Sequence, residues 1–257
     1  AEDGIRDVAV TGVQTCALPI SVTIAPSGTI SISDIAANAA TTAGGTDRSV
    51  TYDTAAPTLT LQQAAGQADP TNGSSIQFTL TASETLDAAT CTSADFTVVN
   101  GSVSSVSCVG STCTITVAPS VQGDVTIGLA AGFTVSDVAG NAQTSAGGTD
   151  RTVTYDSIAP TLTLEQAAGQ VDPTRTSSIQ FTLTGSETLD SATIAASDFT
   201  VTNGGTPTIT GSGSSFTITV APIADGPVTI APSGTFSVSD VTGNAADRKS
   251  TRLNSSH

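Results

Sequence analysis

The chain repeats itself. DRSVTYDTAAPTLTLQQAAGQADPT begins at Asp47 and DRTVTYDSIAPTLTLEQAAGQVDPT begins at Asp150, a gap-free offset of 103 residues. The same offset links Asp34, Asp137 and Asp240 in SDIAAN, SDVAGN and SDVTGN. It also links Val22, Val125 and Val228, each opening VTI. A period of 103 residues is too long for a solenoid unit and is the size of an independent domain. The fold must therefore be one that consecutive copies can adopt in series. Residues 21–53 read as the end of a first repeat, 54–156 as one whole repeat, and 157–246 as a third repeat that stops before its last strand.

Within a repeat the hydrophobic period is two. In SSIQFTLTAS, Ile76, Phe78 and Leu80 alternate with Gln77, Thr79 and Thr81. Leu59 and Leu61, Ile115 and Val117, then Val125, Ile127 and Leu129 alternate in the same way, as do Phe133 and Val135, and Val153 and Tyr155. Each run predicts a strand with one buried and one wet face, bounded by Gly, Asn, Asp, Ser or Pro turns. No segment carries a helical period, and Gly66 and Pro70 make AAGQADP (64–70) a loop. About seven short strands in ~100 residues predict an antiparallel β-sandwich.

AAPTLTL and IAPTLTL at the entry, QAAGQxDPT, the SDxxGNA turn and the closing VTYD together resemble tandem bacterial immunoglobulin-like repeats. The resemblance covers 21–246. It implies an all-β fold of tandem Ig-like sandwiches and a setting in the long stalks of bacterial surface adhesins or other large secreted proteins. It does not imply a ligand.

The two ends of the chain read differently. With suitable codons for DRKSTRLNSSH (247–257), the reverse complement translates as VTGVQTCALPI, residues 10–20, over all eleven positions. The underlying DNA resembles a sequencing adapter joined to both ends of a fragment. Residues 1–20 and 247–257 are therefore expected to be non-native tails and are set aside. VTGVQTCALPI is also too polar and too short for a signal peptide or a membrane span. Setting the tails aside removes His257 and Lys249, the only histidine and lysine. It takes four of the 22 acids and four of the 7 bases, so the net charge stays at −15 with 18 acids against 3 bases. Such a surface repels nucleic acid and anionic membrane and suits divalent cations. With no histidine or lysine left, and no evident partner to activate a serine or threonine, the expectation is that these repeats are not an enzyme.

Cys91, Cys108 and Cys113 all lie in the middle repeat; their counterparts in the third are Ile194, Gly211 and Phe216. Cys113 shares parity with Ile115 and Val117 and should face inward. Cys108 and Cys113 flank VGST, a hairpin loop, and are the preferred disulfide pair among three single bridges; buried free thiols are the alternative. A bridge would suit an oxidising, extracellular compartment.

The repeated acids suggest a second site. If SSIQFTLTAS is the second strand, SETLD (83–87) lies at the end where the chain enters, and SDVAGN (136–141) lies there too. Asp53, Glu84, Asp87, Asp137 and Asn141 are then candidates to converge at one junction, and Asp156, Glu187, Asp190, Asp240 and Asn244 at the next. Oxygen donors of this kind suit calcium, which takes six to eight of them. Ordinary turn chemistry is the competing explanation, because Asp and Asn also favour tight turns. Calcium-stiffened junctions are what the resemblance to adhesin stalks implies.

The resulting expectation is a structural spacer in a large cell-surface or secreted bacterial protein. Neighbouring repeats are its partners, and a host-surface or glycan ligand would bind through other domains. The alternative is a module that binds a glycan or host protein through loops at one sandwich end. The loops lack Trp and hold almost no Tyr or Arg, the usual anchors of such contacts.

Overall fold

The computed structural model describes residues 20–24, 32–33, 37, 39–40, 48–247 and 252–253. Most of both tails, and Asp34 of the first SDxxxN motif, lie outside the described residues. The strands in chain order begin with β1 (Ile20–Thr23), β2 (Ile32–Ser33), β3 (Ala39–Ala40) and β4 (Ser49–Tyr52). The middle repeat contributes β5 (Leu59–Gln63), β6 (Ile76–Ala82), β7 (Phe96–Val99), β8 (Gly101–Val109), β9 (Thr112–Pro119), β10 (Gly123–Leu129), β11 (Val135–Ser136), β12 (Ala142–Gln143) and β13 (Thr152–Tyr155). The third repeat contributes β14 (Leu162–Gln166), β15 (Ile179–Gly185), β16 (Phe199–Thr202), β17 (Thr208–Ser212), β18 (Ser215–Val220) and β19 (Thr229–Pro232). A last strand, β20, spans Arg252–Leu253.

The chain is all-β and folds as antiparallel sandwiches. In the middle repeat one sheet runs β5-β6-β9-β8 and the other β13-β10-β7. Lettered A to G, with the β11–β12 hairpin set apart, these are A-B-E-D facing G-F-C, the strand order of a constant-type immunoglobulin sandwich. The period-two pattern explains the packing. Along β6, Ile76, Phe78, Leu80 and Ala82 are buried while the threonines and glutamine between them are not. Cys113, Ile115 and Val117 of β9 meet them from the same sheet, and Val125, Ile127 and Val153 pack from the other. Two 3₁₀ turns, Ala88–Thr90 and Ser93–Asp95, lead into β7, where the sequence carried no helical signal.

The segment that leads into β13 ties the two sheets together. Gly147 exchanges backbone hydrogen bonds with β5, from Leu61 N to Gly147 O (2.9 Å) and from Gly147 N to Leu59 O (2.8 Å). The Arg151 guanidinium donates to the carbonyls of Ala146 and Gly147, both at 2.7 Å, and braces the crossing to β10. Gly148 sits there at φ +102°, and a Cβ would fall on the Leu61 carbonyl. This is the physical reason for glycine in the AGGTDR segment.

The third repeat reuses the scaffold. Leu162, Leu164, Leu183, Leu189, Phe199, Ile218, Val220 and Val238 form its core. Each stands 103 residues after a core residue of the middle repeat. One sheet is β17-β18-β15-β14-β20 and the other, among the described residues, only β16-β19. Arg252–Leu253 pairs in parallel with Thr163–Leu164 of β14. Of residues 10–20, only Ile20 is described; it opens β1, which pairs with β4.

Candidate metal centre

The SDVAGN and SDVTGN turns build the same device twice. Asp137 is 1% exposed, and its Oδ1 accepts from the backbone N–H of Ala139 (2.8 Å) and Asn141 (2.9 Å). Its Oδ2 accepts from Asn141 Nδ2 at 2.9 Å. Asp240, also 1% exposed, accepts from Thr242 N (2.8 Å), Asn244 N (2.9 Å) and Asn244 Nδ2 (2.9 Å). Burial pushes both carboxyls up, but the side-chain and backbone hydrogen bonds outweigh it and hold them below the ordinary aspartate value. Thr242 adds a hydroxyl donor at 2.8 Å where the middle repeat has Ala139.

Each asparagine then reaches across to the linker. Asn141 Nδ2 donates to the carbonyl of Asp53 at 3.3 Å, and Asn244 Nδ2 to that of Asp156 at 3.0 Å. The linker aspartates turn their own chain: Asp53 Oδ1 accepts from Ala55 N (3.0 Å) and Asp156 Oδ1 from Ile158 N (3.2 Å). The middle repeat holds Asp156 from its own side as well. Gln122 Nε2 donates to Asp156 Oδ1 at 2.8 Å, Gln122 Oε1 accepts from Ser157 N at 2.9 Å, and Asp156 N donates to Thr71 O at 2.8 Å. Asn72 Nδ2 donates to Asn244 Oδ1 at 3.3 Å, a direct bond between the two repeats.

Three carboxylates meet at each junction. One oxygen each from Asp53, Glu84 and Asp137 lie within 4.8 Å of one another, and so do those of Asp156, Glu187 and Asp240. Burial first, then the neighbouring aspartates, raise the pKa of Glu84 and of Glu187. Three carboxylates with their oxygens this close are hard donors that suit a divalent cation, so the donor set fits calcium chemistry.

Of the ten residues expected to converge, six form the two triads and Asn141 and Asn244 brace them. The structure does not bring the carboxylates of Asp87 and Asp190 into these groups. They cap the 3₁₀ turns, accepting from Ala89 N and Ala192 N, both at 3.0 Å. A residue just before a tight turn satisfies the orphan N–H groups behind it, and that local bond wins. Sequence reasoning missed Gln122, Thr71 and Asn72. They act from the preceding repeat, and Gln122 becomes Asp225 one period later, so repetition carried no signal.

Cys108 and Cys113, opposite each other on β8 and β9, form a disulfide. Cys91 is a buried free thiol beside them. Burial, with the Asp95 charge second, pushes its pKa up to about 11, so it behaves as a small hydrophobe and not as a nucleophile. No helix among the described residues is long and apolar enough to cross a membrane. No protein-family model matches the chain, and no curated protein matches it.

Proposed function

We propose that these repeats are a spacer: immunoglobulin-like sandwiches in series that project other domains of a large extracellular or cell-surface bacterial protein, of the adhesin kind. The observation that carries this reading is the double grip on Asp156. The middle repeat holds it through Gln122 and Thr71, and the third repeat holds it through Asn244. A linker bonded from both sides resists bending, which is what a stalk requires. Pro57 and Pro160 stiffen the same segments, since proline locks φ and offers no N–H.

Calcium belongs to this reading as the ion of the junctions. Asp156, Glu187 and Asp240 would hold it at the second junction and Asp53, Glu84 and Asp137 at the first, with water completing the shell. Burial first, and then the neighbouring aspartates, disfavour the charge on both glutamates, and an ion there would offset both. Calorimetric titration of the full chain with calcium tests it. The expected result is binding that EGTA reverses, together with a higher melting temperature. Absence of heat and of any EGTA-sensitive change in melting removes calcium and leaves the hydrogen-bonded linker to stand alone. The spacer reading is tested separately by small-angle scattering: Asn244→Ala combined with Gln122→Ala should shorten the maximum dimension as the linker gains freedom, and an unchanged profile would count against a braced stalk.

A further inference from the structure

We propose that Asn72 is a site of spontaneous deamidation, and that its conversion to a carboxylate breaks the direct bond between the middle and third repeats, whether or not the repeats serve as a spacer. The chain holds three Asn-Gly pairs, at 72–73, 100–101 and 203–204. Asparagine before glycine is the pair in which this reaction is easiest, because glycine carries no side chain to shield its own backbone nitrogen. In an unfolded chain all three are open to it. The fold separates them.

Asn100 and Asn203 are locked. They are equivalent positions, 103 residues apart, at the tight turns that follow β7 and β16. Both are half-buried and left-handed, with φ 60° and 57°. Asn100 Nδ2 donates to the carbonyls of Val121 (2.7 Å) and Gly123 (3.3 Å), and Asn100 Oδ1 accepts from Val121 N at 3.1 Å. Asn203 Nδ2 donates to the carbonyls of Ala224 (2.9 Å), Gly226 (3.3 Å) and Pro227 (3.3 Å). Neither amide can swing onto its own backbone without losing those bonds. The glycines behind them are wedged as well: a Cβ at Gly101 would lie 2.8 Å from the Ala118 carbonyl oxygen, and one at Gly204 would lie 2.4 Å from Val220 Cγ1.

Asn72 has no such lock. It is exposed, in the loop between β5 and β6. Its Nδ2 donates to Asn244 Oδ1 at 3.3 Å, a long bond open to water. The Gly73 N–H lies outside the strands and donates to Thr71 Oγ1 at 3.1 Å, and a bond to a loop hydroxyl opens more readily than one in a ladder. In the reaction the Gly73 nitrogen loses its proton to solvent base and attacks Asn72 Cγ. The new N–C bond forms, the Cγ–Nδ2 bond breaks, and Nδ2 leaves as ammonia. Water then opens the cyclic imide at either carbonyl, which leaves aspartate or isoaspartate at position 72. Water is consumed and ammonia released, with no change of oxidation state.

The product has no N–H to offer Asn244 Oδ1. Asn244 cannot adapt by turning its amide over, because its Nδ2 already serves the Asp156 carbonyl, Asp240 Oδ2 and Thr242 Oγ1. The contact therefore changes from attraction to repulsion, with a new negative charge beside a junction that is already acidic. The counterparts of Asn72 and Gly73 in the third repeat are Arg175 and Thr176, so that repeat has no such site at this place.

Incubation of the full chain in mildly alkaline buffer, followed by peptide mass mapping with isoaspartate detection, tests it. The expected result is acid at position 72, much of it isoaspartate, while Asn100 and Asn203 keep their amides. The same incubation in urea should convert all three. Gly73→Ala should abolish conversion at position 72. That variant is tolerated, because a Cβ at Gly73 would meet only Thr71 Oγ1 (3.3 Å) and Ser75 O (3.6 Å). Asn72→Asp supplies the aspartate product directly and should speed hydrogen exchange across residues 241–244 relative to freshly prepared parent. An Asn72 that keeps its amide in the folded chain, Asn100 or Asn203 converting as fast as Asn72, or undiminished conversion in Gly73→Ala would each overturn the site. Exchange across 241–244 unchanged by Asn72→Asp would overturn its effect on the junction.

Discussion

The middle and third repeats fill one corner of the same sandwich with different chemistry. The middle repeat places Cys91 there beside the Cys108–Cys113 disulfide; the third places Ile194, Gly211 and Phe216. The register is the same in both: Cys108 opposes Cys113, and Gly211 opposes Phe216. The bridge therefore does not set the register. Alternating burial along β9 and β18 does, because a slip of one residue would turn Ile115 or Ile218 to water. The third repeat fills the space with a phenyl ring set against a glycine. Gly211 has φ +137°, and a Cβ there would meet the Ser215 carbonyl and Phe216. Either a covalent bridge or a ring on a bare backbone completes the hairpin.

The largest test of this comparison lies in the core. Phe78→Ala should cost about 4 kcal/mol, at the full price of a buried phenyl. Phe181→Ala should cost less than half of that, because Phe181 is half-buried. Denaturant unfolding of the full chain, with hydrogen exchange to identify which repeat opens, reads both; equal costs would mean the two cores are closed alike.

Next comes the corner itself. Cys108→Ser with Cys113→Ser should destabilise the middle repeat by roughly 2 kcal/mol, the chain-entropy value for so short a loop. It should leave the third repeat's exchange rates unchanged. Gly211→Ala should cost the third repeat about 2 kcal/mol, since a side chain is strained at that φ and collides as well. Cys108 already carries a Cβ, so Cys108→Ala in the reduced protein should show no comparable strain. A Gly211→Ala variant as stable as the parent would break the proposed division of labour.

A smaller contrast concerns the turns. Thr242→Ala makes the third turn resemble the middle one and should cost about 1 kcal/mol at neutral pH, the worth of one hydrogen bond. Asp240 has a folded pKa below its unfolded one, so its contribution is present above the unfolded value and is lost as pH falls through the folded value. The variant and parent should therefore differ at pH 7 and converge in strong acid, where both carboxyls are protonated. Melting curves from pH 7 to 2 would check this. The raised pKa of Glu187 has the opposite sign: burial first, and then the charges of Asp156 and Asp240, disfavour its ionised form, and that penalty is relieved as pH falls through its folded pKa. The reciprocal Ala139→Thr should raise the middle repeat's stability by a similar or smaller amount.

Much of the fold was legible in the residues. Ile76, Phe78 and Leu80 announce a half-buried strand, and repetition of the pattern 103 residues later makes coincidence untenable. The candidate site was legible in part. Asp53, Glu84 and Asp137 were traceable because loops after alternate strands share one end of a sandwich. Asp87 was not separable from them, because a carboxylate that caps a 3₁₀ turn and one that faces a junction look alike in sequence. The grip of Gln122 on Asp156 had no signature, since it joins a loop to a linker 34 residues on.

The sequence by itself determined the class of fold, the repeat and the core, since these rest on period-two burial and a 103-residue period, both local or one-dimensional properties. Only the tertiary structure decided which carboxylates face one another and that Cys91 is the thiol left over. Those outcomes depend on residues as far apart as Asp53 and Asn141, 88 positions along the chain, and are not written in any one segment.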